Sequence, residues 1–284
     1  MDFTPLTEDQ RRQFGEDGFL IVRGALDSPT VERLIEAGDR LVASERSINR
    51  QQAEDGQFDG FRDVIAMDDA FLPLLDHSST VPLIVQLFGP RIHLVTSHLI
   101  YRHPDPPGTP RSRRLPGWHR DIANTPEDLG HAHIPRMEVK CAYYLTDLTA
   151  PASGSTLFAS GSQRLKVPLE INPDSGDPEN AVEPSLQPGD AVLFENRTWH
   201  AGGVNLSGRI RKAVMFGYAF RWLKPYDYTT QPRDLVARVD RIGRQFLGAT
   251  DDPDGRYIPG GGAEPLIEWC SRHKVKYVAE AGTA

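Results

Sequence analysis

Residues 117–124 read "GWHRDIAN", and the fold turns on what His119 and Asp121 do there. Three readings compete: half of a metal site, the catalytic loop of a protein kinase, or an ordinary polar turn. A kinase loop has the form HRDLxxxN, which needs asparagine at position 126, and Pro126 stands there. The "DLG" at 128–130 is too close to act as the kinase metal loop, and no glycine-rich nucleotide loop lies upstream. The metal reading fares better. On an extended strand, residues i and i+2 face the same side, so His119 and Asp121 can point together into a barrel.

The surrounding texture is that of strands. "RIHLVTSHLIYR" (91–102), "VKCAYYLT" (139–146), "STLFA" (155–159), "DAVLFE" (190–195) and "RKAVMFGYAF" (211–220) are short and rich in β-branched and aromatic residues. Turn clusters such as "TAPASGS" and "LQPGD" separate them. With no GxGxxG, no P-loop and no regular βα alternation, the pattern predicts a mainly β fold. A barrel or double-sheet jelly roll with helices packed outside fits it.

The first ninety residues read as helical support. Thr7 and Gln10 have capping-box spacing, "GFLIVRGAL" (18–26) is a strand, and Ser28 before Pro29 resembles an N-cap. Val31, Leu34, Ile35, Gly38, Leu41 and Val42 then trace one helical stripe, and "STVPLIVQLFG" (79–89) is a short helix ending at Gly89. After the β core (about 91–222), the tail from 223 to 284 contains a helical stretch, "RDLVARVDRIGRQFLG", and a glycine-rich loop, "PGGGAEP". The whole chain is expected to be one domain. Two long loops, 103–117 and 171–185, are candidates for lids over a site or mobile connectors.

Two ligands do not hold a catalytic metal. His200 in "ENRTWHAGG", at a strand-like edge after "DAVLFE", supplies a third, and two histidines with one carboxylate make a facial triad. That set leaves three coordination positions open and suits non-haem Fe(II) chemistry with O2. His131 and His133 in "GHAHIP" also have HxH spacing, but they read more simply as solvated loop residues. Arg211, eleven residues after His200, could fork bidentately onto a carboxylate across the metal. It could equally be a surface arginine in the "GRIRK" run.

Composition bounds the function classes. At 284 residues, 39% hydrophobic and 25% charged, the chain has the balance of an ordinary globular protein. A net charge of −7 argues against nucleic acid as partner. No apolar run approaches the roughly 18–20 residues needed to cross a bilayer, so no membrane partner is expected. The start "MDFTPLTEDQ" is acidic and polar rather than a secretory leader. Cys141 and Cys270 show no CxxC spacing, so a reducing, cytoplasmic setting is expected.

The W-H-x-D motif, the segment "SGSTLFASGSQR" (153–164), and "QPGDAVLFENRTWHAGG" (187–203) with an arginine eleven residues after its histidine together resemble the phytanoyl-CoA dioxygenase family. The resemblance runs from about Thr7 to about Lys224. It implies a double-stranded β-helix (a cupin-like jelly roll) with flanking helices, and Fe(II) held by His119, Asp121 and His200. It further implies 2-oxoglutarate as cosubstrate, with Arg211 on its distal carboxylate and His98 and Tyr143 lining its pocket. The implied activity is that of an oxygenase acting on a small organic molecule, with bacterial natural-product metabolism as the expected setting. Hydroxylation is the commonest outcome, while desaturation, cyclisation, epimerisation and epoxidation share the platform. Because Asp121 is present, a halogenating variant is not expected, and the ending "EAGTA" is not a peroxisomal tripeptide. Trp118 and Trp222 are candidate substrate-pocket walls, although aromatic residues in barrels are more often core. Arg111, Arg113 and Arg114 could meet an anionic substrate or form a solvated basic run. Two rival classes remain, a non-catalytic cupin-like binding barrel and a metal hydrolase. Neither has need of Arg211.

Overall fold

Thr7 opens the first helix as its spacing predicts, in a computed structural model that describes residues 1–53, 56–249 and 262–277. Its hydroxyl accepts from Gln10 N while the Gln10 side chain accepts from Thr7 N, closing a capping box on α1 (Glu8–Asp17). Gly18, at φ 80°, ends the helix and turns the chain into β1 (Phe19–Val22). In α2 (Ser28–Ala43) the cap is Asp27, one residue before the expected Ser28, because the Asp27 carboxylate accepts from Thr30 N at 2.9 Å. The stripe Val31, Leu34, Gly38 and Leu41 is buried as expected, with Ile35 and Val42 packed at its margin.

The expectation of largely helical support, with one strand at 18–26, misses the segment 50–62. There β2 (Arg50–Gln52) and β3 (Phe58–Arg62) form an antiparallel hairpin that joins the main sheet beside a later strand. Polar residues hide this hairpin from a hydropathy reading. Its strands are tied by an Arg50–Asp59 ion pair at 2.7 Å rather than by apolar alternation.

The remaining elements follow in order: α3 (Val81–Phe88), β4 (Ile92–Arg102), α4 (Thr125–Leu129), β5 (Glu138–Tyr144), β6 (Thr156–Ala159), β7 (Ala181–Val182), β8 (Ala191–Glu195), β9 (His200–Gly202) and β10 (Arg211–Phe220). The large sheet has the order β1-β8-β5-β10-β4-β3-β2 and the small one β7-β6-β9. All of these pairings are antiparallel.

Both faces of the large sheet are covered. On the outer face Val139, Cys141, Tyr143, Leu193, Val214 and Phe216 pack with the helices in one apolar cluster. On the inner face Ala142, Tyr144, Val192 and Ala213 share a second cluster with Phe158 of the small sheet. Two facing antiparallel sheets with helices on one flank make the expected double-stranded β-helix.

The tail is more broken than its helical periodicity suggests. Asp240 accepts from Gly243 N at 2.8 Å and so caps a new helix, dividing the stretch into α5 (Arg233–Ala237) and α6 (Arg241–Phe246). α7 (Pro265–His273) follows, its Trp269 indole donating to Met1 O. Residues 259–261 of the glycine-rich loop lie outside the described residues. Among the described residues, no helix is long and apolar enough to cross a membrane.

Candidate active site

His119 and His200 face each other across an isolated antiparallel bridge. His119 N donates to His200 O at 3.0 Å and His200 N to His119 O at 2.9 Å, and the ring centroids lie 4.2 Å apart. Each ring is oriented from behind: His119 Nδ1 donates to Gly117 O at 2.7 Å and His200 Nδ1 to Thr198 O at 3.0 Å. A carbonyl can only accept, so Nδ1 carries the hydrogen and Nε2 keeps its lone pair for a metal. Burial pushes the His200 imidazole down to about 4, against an opposing pull from Asp121, so this ring stays neutral at physiological pH.

Asp121 completes the set. One donor atom each from His119, Asp121 and His200 lies within 4.8 Å of the other two. Asp121 Oδ1 is 3.8 Å from His200 Nε2 and accepts from Lys140 Nζ, whereas Oδ2 is buried without a partner. Burial would raise this carboxyl, but Lys140, then His200 and His119, hold it below the ordinary carboxylate range. Two imidazoles and one carboxylate with an unsatisfied buried oxygen match a divalent iron site. The site sits on a turn rather than a regular strand: Ile122, just after Asp121, is at φ 55°.

Arg211, the first residue of β10, is buried. Its Nε donates to Gly154 O at 2.9 Å, its Cζ lies 5.8 Å from the centre of the Tyr144 ring, and Nη1 has no partner. No ion pair offsets its charge among the described residues, so a buried guanidinium is presented to the interior without a counter-ion. Arg209 instead points outward, 3.7 Å from Asp147.

His98 is brought to the same interior. It pairs with Met215 in the ladder, its Nε2 is buried without a partner, and burial, with the charges of Arg62, Lys140 and Arg211, depresses its pKa well below the usual imidazole range. Tyr143 is not brought there. Its hydroxyl bonds Thr80 Oγ1 at 2.6 Å on the helix-covered face. The inward neighbour is Tyr144, because successive residues of a strand face opposite ways.

The two tryptophans also lie elsewhere. Trp118 donates to Gly176 O at 3.2 Å and to Asp177 at 3.1 Å, beside an Arg114–Asp177 ion pair, so it ties the two long loops together. Trp222 is half exposed and stacks on Phe220. Arg113 pairs with Asp105 at 3.0 Å, so two of the three loop arginines are structural. The 103–117 loop is held along β9, with Leu115 N on Gly202 O and Gly202 N on Pro116 O. Gly202 is required there because a Cβ would come within 2.0 Å of Leu115 O.

A cavity of about 620 Å³ opens beside Asp121, and Asn49, Gln51, Arg62, Lys140, Tyr226 and Asp227 help to line it. Sequence reasoning missed these residues. The one legible signal was Lys140, a lysine in a largely apolar strand, in phase with Glu138 and Tyr144.

Comparison with known proteins places the chain. The family model described as phytanoyl-CoA dioxygenase (PhyH) matches residues 14–213. The dioxygenase hkm4 of Aspergillus hancockii is 32% identical over 144 residues, 50% of this chain and 44% of that protein. The dioxygenase trt7 of Aspergillus terreus is 24% identical over 115 residues, 40% of this chain and 38% of that protein. The matched stretch thus spans less than half the length of either relative. Among solved structures, HygX from Streptomyces hygroscopicus with nickel and 2-oxoglutarate bound superposes with a TM-score of 0.62 at 19% identity, over 81% of this chain and 94% of that one. The non-haem α-ketoglutarate-dependent epimerase SnoN from nogalamycin biosynthesis gives 0.60 at 19% identity, over 90% and 91%. These two likenesses establish the fold.

Proposed function

Because the chain belongs to the phytanoyl-CoA dioxygenase family of Fe(II)- and 2-oxoglutarate-dependent oxygenases, we propose that it oxidises a small organic molecule while converting 2-oxoglutarate to succinate. The observation that carries this reading is Arg211, a buried guanidinium with an open Nη1 in the same barrel as the His119–Asp121–His200 donor set. A binding barrel or a metal hydrolase has no use for such a group.

In this reading His119 Nε2, His200 Nε2 and one Asp121 oxygen hold Fe(II). When bound, the iron supplies open coordination positions where the cosubstrate and O2 are activated. The chain's own residues do the rest. Gly117 O and Thr198 O fix the imidazole tautomers, and Arg211 receives the distal carboxylate of 2-oxoglutarate, with the Tyr144 ring against its guanidinium. The substrate enters the polar cavity beside Asp121. HygX has been crystallised with hygromycin B, and SnoN and SnoK, an epimerase and a carbocyclase, belong to nogalamycin biosynthesis. Those relatives favour a natural-product metabolite as substrate and keep epimerisation and cyclisation beside hydroxylation as outcomes. Two free, buried thiols, Cys141 and Cys270, favour a reducing cytoplasmic setting.

The test is anaerobic titration of Fe(II) and 2-oxoglutarate, followed by aerobic assay of succinate. The parent protein should develop a visible charge-transfer band and turn over 2-oxoglutarate. Alanine at His119, Asp121 or His200 should abolish both with the far-UV circular dichroism unchanged. A fully active His200→Ala protein would refute the ligand set.

A further inference from the structure

The residue between the two ligands of the HxD motif faces the other way, into a second cavity. Arg120 is 5% exposed, and its Nε and Nη2 donate to the carbonyls of Arg197, Ser162 and Leu165. Its guanidinium lies 5.1 Å from the Trp199 ring, and its Nη1 is buried without a partner. It makes no ion pair among the described residues. A buried cation held only by carbonyls and a π-face carries a desolvation cost that an anion would relieve.

The cavity it lines, about 310 Å³, is also lined by Arg136, Arg164, Lys166, Arg197 and His131, and among the described residues by no acidic one. Behind it the buried Glu195 is engaged by both Arg136 and Arg197. Arg164 and Lys166, on the turn after β6, make no ion pair among the described residues. His131, which reads from the sequence as a solvated loop residue despite its HxH spacing, contributes a buried Nδ1 with no partner. The positive charge exceeds what one carboxylate would balance. A phosphate group carries close to two negative charges and three acceptor oxygens, and clustered arginines are its usual receptor.

We propose that this cavity is a second binding site that takes a phosphate group, separate from the metal centre, with Arg120 at its buried side and Arg164 and Lys166 at its mouth. Apolar surface beside it from Ile134 and Leu165 leaves room for an organic portion of the ligand.

The test is calorimetric titration of the full chain, loaded with Ni(II) and saturated with 2-oxoglutarate so that the Arg211 site is filled. The probes are inorganic phosphate and glycerol 3-phosphate at constant ionic strength. The expected result is saturable one-to-one binding with a Kd of about 1 mM or tighter. The double variant Arg164→Gln, Lys166→Gln should weaken it roughly tenfold or more. Tighter binding of the monoester assigns the site to a phosphorylated metabolite, and equal binding assigns it to free phosphate. Arg120→Met should abolish binding. Because that variant sits between two metal ligands, the Arg164 and Lys166 variant keeps the test decisive if Arg120→Met does not fold. Non-saturating heat that salt removes, or binding unchanged in the double variant, overturns the proposal. Neither outcome bears on the oxygenase reading, which concerns the other side of the 119–121 segment.

Discussion

Lys140 Nζ donates to Asp121 Oδ1 from the inner face of β5, leaving Asp121 Oδ2 buried and unpartnered. One oxygen held by an ammonium and one left open is an arrangement that favours a monodentate carboxylate, so in the proposed iron site the chain itself would limit how many coordination positions Asp121 fills.

Removing that ammonium has a direction that depends on metal. Lys140→Met strands a buried carboxylate, and breaking such a pair typically costs about 3–5 kcal/mol. A divalent cation at the site supplies replacement charge, so Ni(II) should restore part of the lost stability. Urea unfolding of both proteins with and without Ni(II) measures it. An equal deficit in the two conditions would show that Lys140 supports the fold and not Asp121.

Arg211→Gln should weaken 2-oxoglutarate binding by roughly ten- to a hundredfold, since a charge-assisted hydrogen bond is worth about 1.5–3 kcal/mol. Arg211→Lys keeps the charge without the fork and should fall between. Arg209 faces Asp147 at the surface, so Arg209→Gln should leave binding unchanged. Anaerobic titration of 2-oxoglutarate into iron-loaded protein decides it, and a reversed order of effects would refute the register of β10.

The two tyrosines of β5 should separate function from stability. Tyr144→Phe removes a hydroxyl that donates to Thr156 at 2.9 Å beneath Arg211, and should raise the 2-oxoglutarate Kd severalfold. Tyr143→Phe loses the hydroxyl that bonds Thr80 and Cys141 on the outer face, costing about 1 kcal/mol or more of stability with no change in affinity. Paired binding and denaturation curves distinguish them; an affinity loss confined to Tyr143→Phe would contradict the facing observed here.

Two buried histidines, among others, should contribute an acid-destabilising slope in the metal-free protein. Burial pushes both His93 and His200 down to about 4, although Leu223 O supports the charged form of His93 and Asp121 that of His200. Unfolded histidine takes its proton near pH 6.5. Between pH 6.5 and 4 the unfolded chain therefore binds more protons, and stability falls by about 1.4 kcal/mol per pH unit for each group. Above pH 6.5 the two contribute no slope. His93→Gln, which lies away from the metal donors, should flatten the dependence by about half of this part. Asp63, raised to about 6, and Glu138, raised to about 7, both by burial, act in the opposite direction over this range. The comparison with His93→Gln is therefore what decides: an identical pH dependence in the two proteins would rule the linkage out.

The sequence by itself determined what is local. The capping box at Thr7, the stripe along α2 and the bounds of β10 follow from short-range spacing, and the H-x-D and His-to-Arg intervals pointed to three side chains that the fold brings within 4.8 Å and to an arginine that it buries. Tertiary structure decided the rest. The β2–β3 hairpin owes its place to pairing with β4, a contact between distant residues that its polar composition does not announce. In β5 both faces are buried, and at its end two tyrosines, Tyr143 and Tyr144, occupy opposite phases, so residue type does not say which of them enters the barrel. Only packing against the helices on one side and the small sheet on the other turned Tyr144 and Lys140 inward and Tyr143 outward.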